Sequence, residues 1–205
     1  MRACKSLKSF RYTPHGPFGC LPGFNAAQVT EEALQHKDTL EYFHVEIANE
    51  KFAHEIGSFE EYNSTLVKYG SFADFSVLKH LTVSHAYLAA HPQFPATLQA
   101  LHIEECKSSF REMAQNIATD CKKGLYPHLT DLDVSAPDVT AASKFPGQRI
   151  PDGQTAEQCL LSLRDMFKGT KVAFYIRRCI YGYEDGYEDE EDEDEEDEED
   201  EDQDG

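Results

Sequence analysis

Apolar residues recur along the chain in one short pattern, Leu-x-x-(Leu/Phe)-x-(Val/Ile/Tyr). It appears at Leu7-Phe10-Tyr12, Leu40-Phe43-Val45, Leu78-Leu81-Val83, Leu98-Leu101-Ile103 and Leu129-Leu132-Val134. The alternation at the end of each copy has the period of a short strand with one face buried. A further strand is predicted at 171–176 (KVAFYI), as a degenerate sixth copy or a closing strand. Between the copies the period changes to that of helices. Residues 30–36 (TEEALQH) read as helical. Ser109 and Glu112 form a capping-box pattern that opens a helix running to about Lys123 and ending at Gly124. Phe110, Met113, Ile117 and Cys121 share one side of it. Thr155 and Gln158 open another candidate helix, which ends before Gly169. Residues 135–154 are rich in Pro, Gly and Ser and read as a long loop.

The fourth copy continues to Cys106 and so satisfies the whole LxxLxLxx(N/C) form of a leucine-rich repeat. There the ninth-position side chain satisfies backbone groups where the chain leaves the strand. The copies are 33, 38, 20 and 31 residues apart, so the period is irregular. The expected fold class is α/β. It is an irregular leucine-rich-repeat solenoid with short parallel strands, and with helices and loops on the convex side.

If the strands are adjacent, the positions between the apolar residues form rows on the opposite face. One row is Arg11, His44, Thr82, His102 and Asp133. The next contains Ser9, Tyr42, His80, Ala100 and Asp131, and a third contains Thr13, Glu46, Ser84, Glu104 and Ser135. The mixture is polar without a single-sign field, which suits a protein segment better than nucleic acid. Arg11, Tyr42, His44, His80, Thr82, His102, Asp131 and Asp133 are the candidate partner-binding residues.

Charge divides the chain in two. Residues 184–204 hold 18 acidic residues and no Lys or Arg. Removing them from the chain's 38 Asp and Glu leaves 20 against 19 Lys and Arg. The expected organisation is therefore a nearly neutral repeat domain over 1–183 and a disordered acidic tail over 184–205. The tail is either a docking arm for basic proteins such as histones or a solubilising appendage.

No apolar run is long enough to span a bilayer, and no secretory signal opens the chain. The six cysteines have no CxxC spacing and read as thiols of an intracellular protein, cytoplasmic or nuclear. His44, His80 and His102 could approach one another across strands. With no HxH, HExxH or Cys/His cluster, no metal is expected. Phosphate-loop, GxSxG and GxGxxG motifs are also missing, so neither a cofactor nor catalysis is expected.

The segments GSFADFSVLKHLTVSHAYL and FPATLQALHIEEC, with the strand at Tyr126 to Val134, resemble the Leu-rich C-terminal region of fungal F-box-like proteins. The opening ACKSLKSFRY is similar to a strand that begins an earlier repeat of that family. The likeness spans about residues 3 to 176. It implies target recognition for a ubiquitin ligase adaptor, with ligase subunits as partners. The family's N-terminal F-box helices have no counterpart here, and the first copy begins at Leu7. The expectation is either an N-terminally truncated domain or one whose missing part another protein supplies.

Overall fold

The computed structural model describes residues 4–13, 24–47, 64–106, 110–135 and 162–177. It is an α/β structure built on one parallel sheet. The strands are β1 (Ser9–Tyr12), β2 (Tyr42–Val45), β3 (His80–Ser84), β4 (Ala100–Glu104), β5 (Asp131–Ser135) and β6 (Ala173–Arg177). They lie side by side in chain order, six strands among the described residues, each parallel to the next. All five copies of the apolar pattern thus become neighbouring strands, and 171–176 supplies the sixth.

Register follows the pattern residue for residue. Phe10, Phe43, Leu81, Leu101, Leu132 and Phe174 pair across the sheet in one row. Tyr12, Val45, Val83, Ile103, Val134 and Ile176 form the second. Leu40, Leu78, Leu98 and Leu129, two residues before each strand, are fully buried and make a third apolar layer. A one-residue slip would expose an entire row, so burial fixes the register. Each Leu taken out of water contributes roughly 1.5–3 kcal/mol.

The strand entrances repeat one hydrogen-bond device. The Lys8 carbonyl accepts from the amides of Glu41 and Tyr42, and the Glu41 carbonyl from those of Lys79 and His80. The Lys79 carbonyl serves Gln99 and Ala100 in the same way, and the Gln99 carbonyl serves Thr130 and Asp131. Backbone groups before each strand are thereby satisfied by the preceding copy.

Helices cover the apolar side. α1 (Ala26–Leu34) begins before the expected 30–36, because Asn25 caps it by accepting from the Gln28 amide at 3.0 Å. Ala26, Thr30 and Ala33 are its buried residues. α2 (Phe110–Lys122) buries Phe110, Met113 and Ile117, as expected, together with Ala114 and Ala118. It stops at Gly124, whose φ of 80° is the left-handed conformation a helix terminus uses. A helical turn at 162–166 leads to Gly169, also left-handed at φ 83°, with Leu163 and Phe167 buried. The capping residues Ser109, Thr155 and Gln158, the loop beyond Ser135 and the acidic tail lie outside the described residues. Ser135, expected to begin that loop, is instead the last residue of β5.

Cys106 is 2% exposed. Its thiol lies 3.4 Å from the Ile103 carbonyl, and its amide donates to the Ser135 carbonyl at 2.8 Å. Glu105 before it takes a φ of 52°, marking the sharp departure of the chain from β4. No disulfide involves Cys4, Cys106 or Cys121. Among the described residues, no helix is long and apolar enough to cross a membrane.

Candidate interaction face

Strand alternation sends every second side chain away from the core, and the parallel register aligns those side chains. Arg11, His44, Thr82, His102 and Asp133 pair in one row, which Tyr175 of β6 extends. Tyr42, His80, Ala100 and Asp131 align in the second. The eight candidate residues are thus brought to one face of the sheet. Tyr42, 45% exposed, stacks on His80 with ring centroids 4.5 Å apart and planes 5° from parallel.

The far end of the face, toward β6, is a groove of about 600 Å³ lined by His80, Thr82, His102, Asp131, Asp133 and Tyr175, among others. Tyr175 is 51% exposed over it. Arg177 pairs with the Asp133 carboxylate through Oδ2. The other oxygen, Oδ1, and the Nε2 of His102 are buried, and neither has a hydrogen-bond partner among the described residues. Burial holds the His102 imidazole below its usual pKa, and the neighbouring Asp133 carboxylate opposes that shift. Buried polar atoms without partners are costly, so these two atoms mark a locally unsatisfied spot beside the groove.

The third row does not stay on the face as a line of solvated positions. Ser84 is fully buried, with Oγ at 3.3 Å from the Ile47 amide and 3.2 Å from its carbonyl. Ser135 is 5% exposed and its Oγ accepts from the Glu105 amide at 3.1 Å. These hydroxyls terminate the ladder, a use their polarity does not reveal in sequence. Glu46 and Glu104 do project from the row, and they meet His44. One ligand-type atom from each of the three lies within 4.8 Å of the others, and His44 Nε2 is 3.5 Å from Glu46 Oε2. Burial first, and then the nearby Glu46 and Glu105 carboxylates, push the Glu104 carboxyl up to about 7, with Arg11 opposing. Of the histidines expected to approach one another, His44 joins two carboxylates and acts electrostatically on His102, while His80 stacks on Tyr42.

A separate polar cluster sits at the strand entrances. Lys79 binds Glu41 at 2.7 Å and holds that carboxyl below the ordinary range, with Lys8 at 3.9 Å. Tyr175 and Arg177 are face residues that the motif count missed. Their signal was the alternation in 171–176, where Lys171 stands in place of the leading Leu. Comparison of the chain with family models, curated proteins and solved structures gives no match, so any functional reading rests on its own residues.

Proposed function

We propose that this chain is an irregular leucine-rich-repeat solenoid whose polar sheet face recognises a protein partner without performing chemistry. The observation that carries the reading is the in-register alignment of Arg11, His44, Thr82, His102 and Asp133 across consecutive parallel strands. One bonding device repeats at the strand entrances, as stacking of successive units requires. Exposed aromatic rings at Tyr42 and Tyr175 supply the kind of anchor on which protein interfaces concentrate their energy. Together with the sequence likeness described above, this supports target recognition for an F-box-like ubiquitin ligase adaptor.

Affinity purification from fungal cells tests the reading. Ligase subunits are expected in the eluate together with a target, and the target is expected to be lost from a Tyr42→Ala/Asp131→Lys/Tyr175→Ala chain. Recovery of the same proteins by wild type and variant overturns the role of the face.

A second reading is supported by the 18 carboxylates of residues 184–204. They form an arm able to bind histones or other basic proteins. A chain ending at Tyr183 loses basic partners alone under this reading.

A further inference from the structure

The meeting of His44, Glu46 and Glu104 joins parts of the sequence that no spacing rule connects. His44 lies in β2 and Glu46 follows it by two residues, so both project to the same side. Glu104 ends β4, two strands away. Between them lies Ser84, the register partner of Glu104. Its short side chain turns inward to Ile47, so no bulky group stands between the carboxylates. All three residues are half-buried, which restrains their side chains and limits competition from water.

We infer that His44, Glu46 and Glu104 form a binding site for a divalent first-row transition ion of the zinc class. An imidazole with two carboxylates is a donor set suited to such an ion. Magnesium and calcium prefer oxygen ligands throughout. Ligand atoms about 2.0–2.2 Å from a tetrahedral zinc lie about 3.3–3.6 Å from one another. The His44–Glu46 separation of 3.5 Å already meets that spacing. The remaining pairs lie within 4.8 Å, so small side-chain rotations complete the set. Three protein ligands leave a position open for water or for a group from outside the chain. Arg11, whose charge already acts on Glu104, is the competing cation. Its presence defines the opposite account, an ion cluster closed within the protein. The inference does not rest on the proposed recognition role, because the site binds its ion whether or not a partner uses the face.

The test is a calorimetric titration of the full chain with Zn²⁺, repeated with Co²⁺ for its visible absorption. Excess Mg²⁺ is included to occupy the carboxylate-rich tail. Side-chain ¹⁵N spectra of the histidines are recorded in parallel. One equivalent is expected to bind and to shift the His44 ring resonances. His44→Ala and Glu104→Gln are each expected to weaken binding by at least about tenfold, the loss that even outer-shell partners of a metal cause. The exposed control His91→Ala is expected to bind as wild type does. Three outcomes overturn the site: wild-type affinity in both variants, His44 resonances unmoved at one equivalent, or binding that vanishes when the chain ends at Tyr183. Because the spectra are read on the wild-type chain, the result does not depend on a variant folding.

Discussion

At the scale of single residues, the face is defined by groups whose surroundings work against their charge or polarity. Glu104 is the clearest case. Its carboxyl is raised from 4.5 to about 7 by burial first, then by Glu46 and Glu105, with Arg11 opposing. A carboxyl with a raised folded-state pKa costs stability when ionised. The cost is therefore small below about pH 4.5 and grows as pH rises toward 7. In metal-free protein, Glu104→Gln is expected to be more stable than wild type by about 1 kcal/mol at pH 8, allowing for partial solvent screening. That advantage disappears near pH 4.5. Urea unfolding at the two pH values measures it, and a constant difference contradicts it. Ser84 presents the opposite situation. Its hydroxyl satisfies both backbone groups of Ile47 inside the structure. Ser84→Ala is expected to cost about 1–3 kcal/mol, the penalty for leaving buried backbone groups without partners. A loss below ~0.5 kcal/mol in the same assay would show that water replaces the hydroxyl.

Among the elements, the strands were the most legible part of the sequence and the helix starts the least. Every copy of the apolar pattern became a strand, because alternation buries Phe43 and Val45 while exposing Tyr42 only in that conformation. Periodicity in 110–122 likewise located α2 and, to within a residue, its C-terminal end. α1 was placed late because its start is set by the Asn25 cap, a local hydrogen bond with no hydrophobic signature. Ser84 and Ser135 were misread for a related reason: a polar residue at a face position gives no sign that the chain turns over it. The His44–Glu46–Glu104 grouping was equally hidden, since it depends on which strands are neighbours. The strand pattern carries a quantitative expectation. Leu101, 1% exposed at the centre of the sheet, is expected to cost about 2–5 kcal/mol as Leu101→Ala in chemical unfolding. Gly124→Ala meets no atom within 4 Å, yet it places a side chain at φ 80°. About 1 kcal/mol is expected there, from backbone conformation alone.

The whole molecule combines a sheet with one apolar and one polar face and a separate block of negative charge. Under the proposed reading, the rows of register-matched side chains across successive strands are the surface that an extended partner occupies. A nearly neutral body leaves steering by charge to residues 184–204. Those two parts give opposite expectations for where partners are lost, and one comparison separates them. Quantitative affinity purification is carried out with the wild-type chain, the Tyr42→Ala/Asp131→Lys/Tyr175→Ala chain, and the chain ending at Tyr183. The expected result is loss of the principal partner from the face variant and its retention by the shortened chain. Retention by the face variant, with loss on removal of the tail, would contradict recognition through the sheet.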